Sequence, residues 1–191
     1  MKRYLLGIAF PLYVLDQVTK WLIVGHFEDP ARVIARGEIP ESIRVIDGFF
    51  SIVRVHNTGI AFGRFNGAAY ANLFFGTVAV SALALILYFW KAKGAFPSAT
   101  GKSAATLIIA GILGNLTDRL VHGYVVDFLS FDLQFMVWPT FNVADSCICI
   151  AAGLLFLTAF RDAGPTEADS GAGSGERRKP DVSEPVEPVE S

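Results

Sequence analysis

Two short polar patterns stand inside apolar stretches of this chain. Residues 115–118 read Asn-Leu-Thr-Asp and residues 142–145 read Asn-Val-Ala-Asp. On a helix, a spacing of three puts each Asn beside its Asp on one face. Two carboxylates that meet in a poorly solvated site share a proton, so that one acts as base and the other as acid. The pattern therefore predicts that Asp118 and Asp145 activate water against an amide, with Asn115 and Asn142 orienting them.

The same residues have a structural interpretation. An N-x-x-D pattern arises often by chance, and polar side chains also hold membrane helices together. What favours chemistry is that the pattern occurs twice at matched depth. Asp16 and Lys20, four residues apart, can neutralise each other as an ion pair, which is at least as good an explanation for them as a chemical one. Arg119 can pair with Asp127 or reach lipid headgroups.

Four apolar segments carry these residues, each of about the 17 to 25 residues that a membrane-spanning helix needs. They are residues 4–24, 68–90, 104–120 and 141–160. Consecutive spanning helices run antiparallel, so the end of the third and the start of the fourth lie at one depth. Asp118 lies roughly 20 Å along the third helix, near the far boundary of the bilayer. The expected architecture is a membrane all-α bundle of four helices.

Basic residues predict the orientation of this bundle, because lysine and arginine concentrate in cytoplasmic segments. Alternation of the helices puts both chain ends and the second loop on the basic side. The basic residues there are Lys2, Arg3, Lys91, Lys93, Lys102, Arg161, Arg177, Arg178 and Lys179. We therefore expect cytoplasmic termini and polar pairs near the extracytoplasmic face.

The outer segment, residues 25–67, contains two β-branched and aromatic runs around Asp47-Gly48, which is a strong hairpin signal. It predicts a small β element on the membrane surface, with an irregular loop as the alternative. Residues 1–162 form the predicted membrane domain. Residues 163–191 are rich in Gly, Ser, Pro and Glu and predict a disordered acidic cytoplasmic tail.

Several functional classes are disfavoured. A formal net charge of −2 argues against nucleic-acid binding, which needs a basic surface. Cys147 and Cys149 lie two apart, on nearly opposite sides of a helix, and resemble small core residues rather than nucleophiles. A proton- or cation-coupled transporter explains buried charge, but a relay needs polar groups through the whole membrane. A helix-bundle scaffold leaves the repeated Asn/Asp pattern unexplained.

Five blocks of the sequence resemble the lipoprotein signal peptidases, or signal peptidase II, a family of membrane aspartic proteases. They are Asp16 with Lys20, N-T-G-I-A-F-G at 57–63, G-N-L-T-D-R at 114–119, V-D-F at 126–128 and F-N-V-A-D at 141–145. They occur in the family's order. One departure is Ile60-Ala61, where family members more often have two alanines.

This resemblance implies a four-helix bundle with an extracytoplasmic β-cradle and a catalytic dyad matched to Asp118 and Asp145. Asn57, Asn115, Arg119 and Asn142 match positions that hold substrate or support the dyad, while Asp16, Lys20 and Asp127 are expected to be structural or supporting. The implied substrates are prolipoproteins with a diacylglyceryl-modified cysteine, cleaved just before that cysteine. The resemblance also implies a location in the bacterial inner membrane. We expect membrane lipid as the surroundings and a monomer as the oligomeric state, and we expect neither a metal nor a cofactor.

Overall fold

The computed structural model describes residues 1–59, 68–92 and 95–162. Within these ranges five helices occur. The first, α1, is continuous from Lys2–Tyr4 through a π-helical stretch, Leu5–Ala9, to Phe10–His26. The others are α2 (Pro30–Ala35), α3 (Ala68–Lys91), α4 (Ala99–His122) and α5 (Val143–Asp162). The predicted tail, residues 163–191, and residues 60–63 of the family-like block lie outside the described residues.

The bounds of α4 show how capping extends a helix beyond its apolar pattern. The apolar segment predicts a start at residue 104, but the helix begins at Ala99 because the side chain of Ser98 accepts the N–H of Gly101 at 2.9 Å. It ends where Gly123 takes a left-handed conformation with φ of 80°, which glycine adopts without a Cβ penalty. The first turn is polar, so hydropathy alone misses it.

Four strands form one antiparallel sheet in the order β1-β2-β3-β4. They are β1 (Ser42–Ile46), β2 (Phe50–Asn57), β3 (Val125–Asp132) and β4 (Val137–Phe141). The hairpin predicted at Asp47-Gly48 joins β1 to β2, with Gly48 at φ of 66°. The prediction for residues 25–67 therefore covers only half of the sheet, since β3 and β4 come from the loop between α4 and α5.

A short helix in the outer segment was also not predicted. Asp29 caps α2 by accepting the N–H of Ala31 at 2.8 Å, and Pro30 occupies its first position. An Asp-Pro pair at a helix start is a recognisable signal, because proline fixes a helical φ and lacks the N–H that would be unpaired there.

Close contact between α4 and α5 depends on small residues. A Cβ at Gly111 would lie 2.5 Å from the carbonyl oxygen of Ala144, and one at Gly114 would lie 2.5 Å from Asp16 Oδ2. In membranes, small residues let helix backbones approach because packing replaces the hydrophobic effect as the driving force. The two glycines thus bring α1, α4 and α5 together at the level where the polar patterns lie.

Three helices are long and apolar enough to cross a membrane in the described part of the chain: the one beginning at Lys2, Tyr70–Lys91 and Ala99–His122. A shorter apolar helix, Val143–Ala159, accompanies them. Many large apolar side chains point outward, among them Leu6, Phe10 and Leu73 with 60% or more of their surface exposed. Such a surface suits lipid rather than water. The fold is mostly helical with a small antiparallel sheet, in a membrane protein.

The sheet is attached to the bundle by an apolar cluster. Ile23 and Phe27 at the end of α1 pack against Val126 and Phe128 of β3. Because side chains alternate along a strand, Asp127 between them points the other way. The cluster therefore fixes Asp127 against the ends of α4 and α5.

Candidate active site

The side chain of Asn142 is fully buried at the start of α5 and connects several polar groups. Its Oδ1 accepts the N–H of Asp145 at 2.9 Å, while Asp145 Oδ2 receives the N–H of Asn142 at a longer 3.4 Å. This reciprocal arrangement is a capping box with Asn and Asp in place of Ser and Glu. It fixes the Asp145 carboxylate at the first turn of α5, where the helix dipole favours negative charge.

Asp127 on β3 is the second carboxylate that Asn142 contacts. Asn142 Nδ2 donates to its Oδ1 at 2.7 Å and Asn57 Nδ2 donates to its Oδ2 at 2.8 Å. Burial raises the pKa of Asp127 to about 6, opposed by the Asn57 hydrogen bond, while the nearby charge of Asp145 raises the pKa further. Asp127 thus binds a proton close to neutral pH and interacts electrostatically with Asp145.

Asn115 on α4 joins these groups to Lys20. Its Nδ2 donates to Asp145 Oδ1 at 2.7 Å, and its Oδ1 accepts from Asn142 Nδ2 at 3.1 Å and from Lys20 Nζ at 3.0 Å. Both atoms of the Asn115 amide are therefore used. Replacing Asn115 would disturb Asp145 and the lysine together.

Asp118 has a different environment from the one that the sequence predicts. Its Oδ2 lies 3.0 Å from Lys20 Nζ and accepts the backbone N–H of Val126 at 2.9 Å. Its Oδ1 accepts from Gln17 Nε2 at 3.2 Å. An ammonium at this distance attracts the carboxylate and fixes it in place. Asp118 thus joins Lys20 of α1 to β3, and its catalytic pairing with Asp145 stays a prediction.

The ion pair predicted between Asp16 and Lys20 is present, with Nζ and Oδ2 2.9 Å apart and both side chains buried. Lys20 bridges two carboxylates rather than one, because Asp118 lies on its other side. Asp16 Oδ1 also accepts the N–H of Ala144 at 2.8 Å, which ties α1 to the first turn of α5. These three charges connect α1, α4 and α5.

Arg119 makes no salt bridge with Asp127 within the described ranges, and its predicted contact with lipid headgroups stays a prediction. Its Nη1 donates to the carbonyl of Asn115 at 3.3 Å, and its guanidinium lies 5.5 Å from the centre of the Phe75 ring. The Asn72 side chain donates to its backbone carbonyl at 3.2 Å. The guanidinium is still close enough to Asp145 and Asp127 to contribute positive potential at both carboxylates.

The structure brings all nine predicted site residues into one connected network. Eight are joined through side-chain contacts, namely Asp16, Lys20, Asn57, Asn115, Asp118, Asp127, Asn142 and Asp145. The ninth, Arg119, is joined through the backbone carbonyl of Asn115. Sequence reasoning missed Gln17, which contacts both Asp16 and Asp118. The signal was available, because Gln17 follows Asp16 directly and is polar within an apolar helix. It also gave Asp127 a supporting role, since the strand that carries Asp127 was not predicted.

Known proteins resemble this chain in sequence. The family model described as signal peptidase (SPase) II matches residues 8–161, and hence every residue of the network. The chain belongs to the signal peptidase II family. Lipoprotein signal peptidases similar to it include that of Symbiobacterium thermophilum, 39% identical over 78% of this chain and 90% of that protein. That of Syntrophotalea carbinolica is 37% identical over 84% of this chain and 92% of that protein.

Solved structures agree with the family assignment. A bacterial membrane enzyme determined by the in meso method at 1.9 Å resolution is 30% identical, with a TM-score of 0.70 over 83% of this chain and 93% of that chain. A second one, at 2.3 Å resolution, is 31% identical with a TM-score of 0.67 over 85% and 92% of the two chains. As a signal peptidase II family member the chain is a protease, and the transporter alternative is not supported.

Proposed function

We propose that the chain is an aspartic endopeptidase that removes signal peptides from diacylglyceryl-modified prolipoproteins, and that Asp127 and Asp145 are its catalytic pair. One observation carries the choice of pair. Asn142 holds both carboxylates, Asp127 through its side-chain Nδ2 and Asp145 through its backbone N–H. All the hydrogen bonds that the two carboxylates receive within the described residues come from neutral amides. Two such carboxylates can exchange a proton.

Asp118, the partner that the sequence predicts, is less suited to this chemistry. Its Oδ2 is held by the Lys20 ammonium at 3.0 Å and by the backbone N–H of Val126 at 2.9 Å, so a charged group and a backbone donor already occupy this oxygen. Asp127 differs, because burial favours its protonated form and raises its pKa to about 6. The proposal therefore keeps Asp145 from the predicted dyad and replaces Asp118 by Asp127.

The burial of the two carboxyls supports a division of roles. Asp127 is 1% exposed and keeps the shared proton, whereas Asp145 is partly exposed and can meet water. Asp145 then takes a proton from the attacking water while Asp127 donates a hydrogen bond to the scissile carbonyl. Transfer of the Asp127 proton to that oxygen gives a gem-diol. The gem-diol collapses as Asp145 passes the proton from water to the leaving nitrogen and Asp127 takes a proton back from a hydroxyl of the gem-diol. Apparent pKa values measured for this reaction belong to the pair rather than to one residue.

The position of the substrate follows from the membrane topology. We propose four spanning helices, α1, α3, α4 and α5, in the bacterial inner membrane with both termini in the cytoplasm, as the basic residues indicate. The sheet then lies at the extracytoplasmic surface as a cradle over the peptide. The lipid of the substrate cysteine remains in the outer leaflet and membrane lipid surrounds a monomeric enzyme. By the same alternation of helices, we propose that residues 163–191 are cytoplasmic.

The test is single-turnover cleavage of a lipidated prolipoprotein by purified protein, beside thermal unfolding. Asp127→Asn and Asp145→Asn should abolish cleavage in a folded protein, because neither can take or give the shared proton. Asp118→Asn should lose stability and keep measurable cleavage for each folded molecule. Asp47→Asn, which changes an exposed carboxylate in the hairpin, is the matched control and should behave as wild type.

Two results would decide against the proposal. Cleavage at the wild-type rate by folded Asp127→Asn would remove Asp127 from the pair. Loss of all cleavage in a stable Asp118→Asn protein would return the pair to Asp118 and Asp145. Equal cleavage of lipidated and unlipidated precursors would overturn the proposed substrate class.

A further inference from the structure

A groove of about 350 Å³ runs between α3 and α4, outside the carboxyl network. Gly76 and Val80 line it from α3, and Leu116 and Leu120 line it from α4. Asn72 and Arg119 lie together at one end, because Asn72 Nδ2 donates to the carbonyl of Arg119. From Asn72 to Ser81 the groove follows α3 for about 14 Å. It is therefore an apolar channel with a polar end.

Groups at the polar end of the groove have unused hydrogen-bonding capacity that a ligand could satisfy. Asn72 Oδ1 is buried and has no hydrogen-bond donor within residues 1–59, 68–92 and 95–162. Such an acceptor is unfavourable unless a donor reaches it. The guanidinium of Arg119 is oriented by the Phe75 ring, over which it lies. Within the described residues, only its Nη1 donates a hydrogen bond. An acceptor and a set of donors thus stand side by side.

This end is also the end nearest the carboxyl pair. Arg119 Nη1 donates to the Asn115 carbonyl, and the Asn115 side chain donates to Asp145. A group bound to Arg119 at the polar end is therefore separated from the Asp145 carboxylate by Asn115 alone. A lipidated cysteine, whose acyl chains begin a few bonds from the scissile amide, satisfies both requirements.

We propose that the α3–α4 groove receives an acyl chain of the substrate's diacylglyceryl cysteine, with its ester carbonyl accepting from Arg119 and a substrate N–H donating to Asn72 Oδ1. This proposal rests on the proposed function. A free membrane lipid gains little by entering an apolar groove, because the bilayer is as apolar as the groove. The substrate chain is tethered beside the carboxyl pair, so its effective concentration there is high.

Gly76 gives a direct test, since a Cβ built there meets no atom within 4 Å and points into open space. Gly76→Leu would fill the groove without a clash inside the described protein. Gly153→Leu is the matched control, because Gly153 is equally unobstructed and lies on α5. Both changes replace a helical glycine by a better helix former.

The assay compares two synthetic lipopeptides that differ only in acyl length, S-dipalmitoylglyceryl and S-dibutyrylglyceryl cysteine. Gly76→Leu should lower kcat/KM for the dipalmitoyl peptide by at least about tenfold relative to Gly153→Leu, because overpacking excludes the long chain. The dibutyryl peptide should be cleaved equally by both variants. Equal rates of the two variants on both peptides, or an equal loss on both in Gly76→Leu, would overturn the groove.

A second measurement does not depend on cleavage. A dipalmitoyl lipopeptide with a photoactivatable diazirine near one acyl terminus is cross-linked to the full chain in detergent. Labelling between residues 72 and 81 or 116 and 120 supports the groove, whereas labelling confined elsewhere overturns it. Cross-linking in the groove without any cleavage by the wild type would instead count against the proposed function alone.

Discussion

Replacing Lys20 by methionine tests whether one buried ammonium holds the bundle together. Lys20 is 3% exposed and lies 2.9 Å from an Asp16 oxygen and 3.0 Å from an Asp118 oxygen. Methionine keeps the length of the side chain and removes its charge. Both carboxylates then lose their cation, and Asn115 Oδ1 loses a donor.

The expected loss can be estimated from this geometry. Removing one partner of a buried ion pair destabilises proteins by about 3 to 5 kcal/mol, because a charge is left uncompensated. Asp16 and Asp118 keep hydrogen bonds from Ala144 and Val126, which solvate part of the remaining charge. We therefore expect Lys20→Met to lower the free energy of unfolding by about 3 kcal/mol, the lower end of that range.

Asp118→Asn should be milder, since Lys20 retains Asp16 as its partner. A loss of about 1 to 3 kcal/mol is expected for one charged hydrogen-bond partner. If the two residues interact directly, their effects are not additive, and Lys20→Met with Asp118→Asn should be more stable than the sum of the single losses predicts.

The assay is reversible unfolding in detergent for the wild type, both single variants and the double variant. A change of less than about 1 kcal/mol in Lys20→Met would refute the reasoning, because surface ion pairs contribute that little. Additive losses in the double variant would show that Lys20 and Asp118 do not interact.

Three further predictions concern other parts of the network. Asn57→Ala removes a hydrogen bond that lowers the pKa of Asp127. The alkaline limb of the kcat/KM profile against pH should therefore move up by about one pH unit. An unchanged limb would show that Asp127 is not the group that titrates there. The raised pKa of Asp127 contributes stability to the wild type at low pH, and this stability is lost as the pH rises to about 6. Asp127→Asn has no such loss, so it should become more stable than the wild type between about pH 4 and 6 and differ little from it below that range. Unfolding curves at pH 4 and 7 check this prediction. Gly114→Ala should lower the free energy of unfolding by about 1 to 3 kcal/mol, because its Cβ would lie 2.5 Å from Asp16 Oδ2. Gly7→Ala is the control and should not destabilise the protein, because a Cβ there meets no atom within 4 Å. Equal melting temperatures of the two variants would contradict the close packing at Gly114.

Hydropathy was sufficient to find the four long helices, α1, α3, α4 and α5, because each contains an apolar segment of about membrane-spanning length. It missed the short helix α2. The sheet was harder. β1 and β2 are local, joined by Asp47-Gly48, and a turn dipeptide announces them. β3 pairs with β2 from more than sixty residues further along the chain, as in the pairing of Asn57 with Val125. No local pattern encodes such a contact.

The repeated Asn-x-x-Asp pattern shows how one spacing can serve two purposes. At residues 142–145 it begins a helix, and the amide and carboxylate cap each other. At residues 115–118 it lies within α4, where backbone donors are already used, so Asn115 and Asp118 turn to different partners. Sequence spacing gave the correct faces for these side chains but could not tell a capping position from an interior one.

The distribution of charge explains which carboxylates remain available for chemistry. Asp16, Asp118, Asp127 and Asp145 lie near two cations, Lys20 and Arg119. Full ionisation would leave an excess of negative charge in a buried site, which low polarity disfavours. Lys20 contacts Asp16 and Asp118 directly, whereas Asp127 and Asp145 receive their described hydrogen bonds from neutral amides. The lysine thereby joins α1 to α4 and, by the same contacts, distinguishes Asp16 and Asp118 from Asp127 and Asp145, the pair that we propose for catalysis.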